Sequence, residues 1–286
     1  MDWLYILFFD NFFDFKLLWD FPYKNSLRIF AALIATAAVL VFGFIKNRNF
    51  EIREYEVKIE KPIAFPVKIV AASDFHLGYG SSRRKIKNIV SAINAQNPDA
   101  ILIVGDLIDD NTEVLRHRNI SEILKRLNAP MGVFAVFGNH EYLAGAKKSE
   151  EFYKASNIKL LKGEVAILEN GLQIAGLDDF SNKKSKREND IVKQLKPELP
   201  SLLLDHRPRN LQDKANLGFD IQISGHSHNG QMFPLNMITK LLFELDCGYK
   251  KINSCHSFVS SGISLWGPPF RIGTKNEMLV LNISNK

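Results

Sequence analysis

Five short segments of this chain put metal-ligating side chains directly after an apolar run. They are SDFHLG with Asp74 and His76, VGDLIDD with Asp106, GNHEY with Asn139 and His140, LLLDHRP with His206, and ISGHSHNGQM with His226 and His228. In an extended loop, side chains two apart point roughly the same way, so His226 and His228 can face one site. Neutral imidazole is the commonest protein ligand for zinc and similar ions. By itself the pair reads equally well as a polar turn facing solvent, and a lone aspartate after a strand is usually a turn residue or helix cap. Five strand ends of one chemical type are harder to explain as surface decoration. Together they offer two aspartates, one asparagine and four histidines, with His140 following the asparagine. That mixture of nitrogen and oxygen donors suits manganese, iron or zinc better than calcium. Seven donors are too many for one tetrahedral site and fit two ions if one carboxylate bridges them. Two ions roughly 3.5–4 Å apart can hold a hydroxide and both sides of an in-line phosphoryl displacement.

Such donors meet only if the strands before them end together, which is where ligand sites form in α/β sheets. The pattern supplies these strands. NRNFEIREYEVKIEKPIAFP alternates apolar and charged residues as an edge strand does. Val67–Ser73, Ala100–Gly105 and Gly132–Gly138 then read as buried strands, followed by helices near Arg83–Gln96, Glu113–Leu127 and Lys148–Ser156. EVAILENGLQIAGL is a hairpin turning at Asn170-Gly171. Further strands are expected at Pro200–Asp205, Phe219–Ser224, HSFVSSG and Glu277–Ile283. With no internal linker, residues 49–286 form one α/β domain of two sheets with outer helices.

The 286 residues carry a net charge of +6, with signs alternating along most of the chain. That balance suits a domain near an anionic surface or substrate and is too mild to indicate nucleic acid. The basic run Ser181–Asp190 reads as a solvated loop. Cys247 and Cys255 form no CxxC pair, so neither a disulfide framework nor a thiolate site follows. Residues 1–23 are crowded with aromatics, from Trp3 to Tyr23, interrupted by Asp10, Asp14 and Asp20, a composition for the bilayer interface. Ile29–Ile45 then has no charge at all, with Arg28 and Lys46 placed to snorkel at its ends. Residues 1–48 are therefore expected to be a single-pass membrane anchor, because no small-x-small cleavage site follows the apolar run. Three basic residues before it against five after it lean toward a cytoplasmic domain.

The ordered series SDFHLG, GDLIDD, GNHEY, LLLDHRP and GHSHNGQ resembles the calcineurin-like metallophosphoesterase superfamily. The ending SSGISLWGPPFRIG is similar to its bacterial membrane-associated branch, the YkuE-type phosphodiesterases and UDP-2,3-diacylglucosamine pyrophosphatases. Asn229 stands where that branch more often has glycine. The resemblance implies a four-layer αββα sandwich of two mixed sheets and a dinuclear hydrolase of a phosphodiester or pyrophosphate bond, using a metal-bridging hydroxide. It also implies that Asp74, His76 and His228 hold one metal, Asp106 bridges, and Asn139, His206 and His226 complete the second. His140 would act on the phosphate rather than bind metal. Glu141 and Asp109 either orient histidines or serve as plain surface or capping groups.

A non-catalytic scaffold would show replaced ligands, and all seven are present; a nuclease would show a focused basic stripe with aromatics. The expected partners are the bilayer, at a bacterial inner membrane, and a phosphorylated, lipid-linked substrate. Two segments motivate that substrate. QMFPLNMITKLLFEL would form an apolar lip beside the metals, and WGPPFRIG would set Arg271 beside Trp266 and Phe270 for a phosphate and an acyl chain. The competing expectation is that both segments pack into the core.

Overall fold

Strands of this chain bury alternate residues on opposite sides, and that alternation builds the layers. In β2 (Val67–Ala72), Val67, Ile69 and Ala71 join one apolar cluster while Val70 and Ala72 join another. The structure is a computed structural model that describes residues 22–286, with side chains described from residue 26. Most of the aromatic-rich N-terminal stretch lies outside the described residues.

Helix α1 (Pro22–Lys46) is followed by β1 (Phe50–Ile59), which is the edge strand expected. One sheet runs β1, β12 (Asn276–Asn285), β2, β3 (Ala100–Val104), β4 (Val133–Val136), β5 (Lys159–Leu160). The other runs β10 (Gly248–Ile252), β11 (Cys255–Val259), β9 (Ile221–Ser224), β8 (Ser201–Leu204), β7 (Gln173–Gly176), β6 (Glu164–Ile167). Both are mixed: β2, β3, β4 and β5 are mutually parallel, as are β7, β8, β9 and β11, with antiparallel pairs at β12–β2, β10–β11 and β6–β7. The hairpin turns at Gly171, whose φ of 92° is open to glycine.

Three apolar clusters separate four layers. Ile69, Leu102 and Leu279 meet Leu202, Leu204 and Ile223 between the sheets. Outside the first sheet, Ile101 and Ile103 pack on α2 (Arg83–Asn94) through Ile86, Ile89 and Ile93. Outside the second, Leu203 and Val259 pack on Ile191, Leu211 and Phe219. This is the αββα sandwich. The helix expected near Glu113–Leu127 is broken into α3 (Thr112–His117) and α4 (Ile120–Leu124). Asn119 sits between them at φ 49°, a left-handed conformation that asparagine tolerates better than most residues.

Helix α1 is long and apolar enough to cross a membrane over Ser26–Lys46, and only 6% of its most apolar stretch is buried. That low burial sets it apart from a core helix, which is covered on its apolar sides.

Candidate metal centre

The carboxyl ends of β2, β3 and β4 in one sheet and of β8 and β9 in the other bring the predicted residues to one place. Asp74 and His76 follow β2, Asp106 follows β3, His206 follows β8, and His226 and His228 follow β9. Asn139 and His140 open the short helix α5 (Asn139–Leu143) after β4, and α6 (Ala146–Ala155), α7 (Glu188–Val192) and α8 (Leu211–Asn216) follow it in the chain. Turning the chain this sharply requires unusual backbone. Asp74, His76, Asp106, His226 and His228 all have φ between 44° and 70°. Each such residue costs on the order of 1–3 kcal/mol, and strain of this kind collects at functional sites. Loop-to-loop bonds hold it: Asp74 N donates to Gly105 O at 3.1 Å, His76 N to Asp106 O at 3.0 Å and Gly225 N to His206 O at 2.9 Å. Glycine is needed where the chains approach most closely. A Cβ at Gly225 would lie 2.4 Å from Asp74 Oδ2, and one at Gly138 would lie 2.2 Å from Asp106 Oδ1.

Two donor sets lie side by side. Ligand atoms of Asp74, His76 and His228 lie within 4.8 Å of one another, as do those of Asp106, His206 and His226. His76, Asp106 and His140 form a third group of the same span, which links the first set to the second through His76 and Asp106. His76 Nδ1 lies 3.1 Å from Asp109 Oδ1 and donates to it, which leaves the lone pair on Nε2. That Nε2 stands 3.0 Å from His228 Nε2, 3.9 Å from Asp74 Oδ1 and 3.8 Å from Asp106 Oδ2. His206 Nδ1 donates to Val104 O at 2.9 Å, so its Nε2 also turns a lone pair inward. It lies 3.0 Å from Asp106 Oδ2 without meeting the geometry of a hydrogen bond. Asn139 Oδ1 and His206 Nε2 are buried with no partner. With His206 neutral, its Nε2 would face the Asp106 carboxylate acceptor to acceptor, which a proton on the ring or a cation relieves, and the unpaired Asn139 Oδ1 favours the cation. The residues present fit a pair of divalent ions.

The electrostatics carry the same demand. Burial would lower His206, but the Asp106 and Asp74 carboxylates raise it to about 10. Burial raises Asp106, yet His206, His76 and His140 together hold it well below the usual carboxylate range. His226, by contrast, is driven down to about 3 by burial and by His206, and keeps its lone pair. Protonated imidazoles and bound metal are two ways of neutralising the same two aspartates.

The carboxylates around the centre position it. Asp109 takes His76 at Oδ1, and its backbone oxygen accepts from His140 Nδ1 at 2.9 Å. Glu141 is fully buried and accepts from Gly138 N at 2.7 Å, Ile108 N at 3.0 Å, Asp106 N at 3.1 Å and Tyr153 Oη at 3.0 Å. It therefore clamps the loops after β3 and β4 together, so the plain surface role is excluded.

Two features depart from the sequence reading. Arg271 is wholly buried, and its guanidinium donates to His228 O and Lys275 O at 3.1 and 3.0 Å and to the carbonyls of Ser261 and Ser264. It braces the His228 loop and is not offered to a phosphate, because it is fully buried and both Nη groups are taken by backbone carbonyls. Asp178 was not singled out, although it follows β7 just as the other acids follow their strands. It is 4% exposed and accepts from Tyr142 Oη at 2.6 and 2.7 Å, which ties that strand end to α5.

The apolar lip, in contrast, is outside the core. Phe233, Leu235, Met237, Ile238, Leu241 and Leu242 are all exposed, and so is Trp266. An open cleft of about 300 Å³ is lined by His226 and His228 together with Leu235, Ile238, Trp266 and Pro268. The Trp266 ring stands edge-on to His140, with centroids 6.4 Å apart.

Fold and site together define a metal-dependent phosphohydrolase. Residues 67–230 match the family of calcineurin-like phosphoesterases. A metallophosphoesterase of Aquifex aeolicus (strain VF5) is 32% identical over 253 residues, covering 86% of this chain and 96% of that protein. The metallophosphoesterase YkuE of Bacillus subtilis (strain 168) is 28% identical, covering 90% of this chain and 95% of its own. A transmembrane protein with metallophosphoesterase domain from Danio rerio is 31% identical over 86% of this chain and 60% of its own. The chain belongs to the calcineurin-like metallophosphoesterase family.

Proposed function

We propose that the protein is a membrane-anchored dinuclear hydrolase of a phosphodiester or pyrophosphate bond in a membrane lipid or lipid precursor. Two donor sets lying side by side, with Asp106 of one within reach of His76 of the other, support the dinuclear reading. Asp74, His76, His228 and Asp106 would hold one ion; Asp106, Asn139, His206 and His226 would hold the other. When bound, such ions supply Lewis-acid stabilisation of phosphoryl oxygens and lower the pKa of water. His140 has its Nδ1 committed to Asp109 O, so Nε2 is the nitrogen left to donate to the leaving oxygen. Asp109 orients that ring and keeps His76 in the tautomer that points a lone pair inward.

The lipid reading draws on the apolar cleft wall beside His228, on α1, and on relatives described as transmembrane proteins. Lys46 at the end of α1 and Arg48 just past it favour a cytoplasmic domain.

The test is elemental analysis of active enzyme with three variants. About two ions per chain are expected, with activity abolished by chelation. His206→Ala and His226→Ala should reduce metal occupancy. His140→Ala should lower kcat by roughly 10²–10⁴, as loss of a general acid does, at wild-type metal content. One ion or none in active enzyme overturns the dinuclear assignment, and metal loss in His140→Ala overturns its role.

A further inference from the structure

Helix α9 (Leu235–Leu242) is built inside out. None of its residues is buried, and Met237, Leu241 and Leu242 are 57%, 87% and 72% exposed. A polar contact ties it down: Thr239 Oγ1 donates to Asp246 Oδ2 at 3.0 Å. A surface helix of a soluble domain turns its apolar stripe toward the core, and an apolar patch left outside marks an interaction surface.

What covers the patch follows from where α1 meets the domain. Gly43 is the one buried residue among the described side-chain positions of α1. Its carbonyl accepts from Arg271 N at 3.1 Å, and a Cβ there would lie 3.1 Å from both Phe270 Cβ and Ile272 Cγ1. Asn47, just past the helix, is held by Asn276 Nδ2 through its backbone oxygen at 2.9 Å. Ile272 then bridges to Met232, and Ile272 O accepts from Phe233 N at 2.8 Å. Phe233 stands two residues before α9. Gly43 lies three residues inside Lys46, about 4.5 Å along the axis at a rise of 1.5 Å per residue. With α1 crossing a bilayer, Phe270–Ile272 is held at the membrane surface, and the short connection through Phe233 keeps α9 at that level.

We infer that α9, together with Phe233 and Trp266, lies in the plane of the bilayer surface as a second membrane contact, its apolar face in the acyl boundary. Lys240 is exposed on the same helix and can reach lipid phosphates. Because Leu235 and Ile238 also line the metal cleft, the contact opens that cleft toward the head groups. The docking rests on the geometry of α1 and α9 and on the membrane anchor. The direction of substrate entry rests in addition on the lipid-substrate reading above.

The test uses full-length protein in vesicles of phosphatidylethanolamine and phosphatidylglycerol. A nitroxide is attached at Leu241→Cys or Met237→Cys, with Lys159→Cys on the exposed edge strand as control. Burial raises the native Cys247 and Cys255 thiols to about 12, so they label slowly. Collisions with oxygen, which partitions into acyl chains, are compared with collisions with a water-soluble nickel chelate. The oxygen-to-nickel ratio should be several-fold higher at 237 and 241 than at 159; equal ratios overturn the docking.

In a second arm, Leu241→Glu with Leu242→Glu changes side chains that are 87% and 72% exposed. It should lower kcat/KM several-fold for a vesicle-embedded phosphoester and leave a soluble nitrophenyl phosphodiester unchanged. A nitroxide shift with both substrates affected alike leaves the docking standing and refutes the lipid-substrate reading.

Discussion

Gly138→Ala adds a single methyl group, and the structure says where it goes. The backbone there is extended, with φ −102° and ψ −167°, so alanine adopts it freely and any cost arises from contacts. The new Cβ would stand 2.2 Å from Asp106 Oδ1, 2.7 Å from His206 Cδ2 and 2.8 Å from Asp106 Cγ. Restoring ordinary contact at 3.4 Å moves the carboxylate oxygen by more than an ångström. Asp106 cannot yield without loss, because Oδ1 also accepts from His140 N at 2.9 Å. A misplacement of about 1 Å in a catalytic constellation is worth about 10² in rate. Overpacking itself costs about 1–3 kcal/mol of stability, which leaves a folded domain. Gly138→Ala is therefore expected to lose about 10²-fold in kcat/KM, together with bound metal, while circular dichroism stays native. Gly80→Ala, where no heavy atom lies within 4 Å of the new Cβ, is the control and should behave as wild type. Assays on a nitrophenyl phosphodiester with manganese, with metal counted in the same samples, decide it. Full activity and full metal in Gly138→Ala would refute the placement of Asp106 at the heart of the site.

Glu141→Gln exchanges one acceptor oxygen for a donor amide facing backbone N–H groups, at about 1–3 kcal/mol for each group left unsatisfied. Tm should fall and metal affinity should drop about 10–100-fold, as for outer-shell partners; a fall in Tm at unchanged affinity would make the clamp purely structural. Lys85 is lowered to about 8 by burial and by Arg271, while its amine donates to Ser264 Oγ at 2.8 Å. The folded form sheds this proton before the unfolded chain does, so the group adds stability as pH rises from about 8 toward 10.5. Denaturant midpoints measured across that window should climb in wild type relative to Lys85→Met, and parallel curves would remove Lys85 as the cause.

Local pattern was enough to read the strands and the donors at their ends. Val67–Ala72, Ala100–Val104 and Ile221–Ser224 are short, continuous apolar runs, and the Asn170-Gly171 turn carries its own backbone chemistry. The order of SDFHLG, GDLIDD, GNHEY, LLLDHRP and GHSHNGQ along the chain was likewise sufficient to identify the family, because each segment is a strand end read independently of its neighbours. Tertiary structure decided whatever depends on a partner distant in sequence. Arg271 reads as a phosphate ligand beside Trp266 until the loops of His228 and Ser261 close around it and take both Nη groups. Helix α9 has the composition of a core helix, yet none of its residues is buried. Asn119 breaks a helix that periodicity alone continues. Asp178 looks like a turn residue until Tyr142, from the other sheet's helix, finds it. Composition and spacing determine which faces are apolar and which strand ends are polar; only the packed chain determines which of those faces meets protein and which is left for something else to cover.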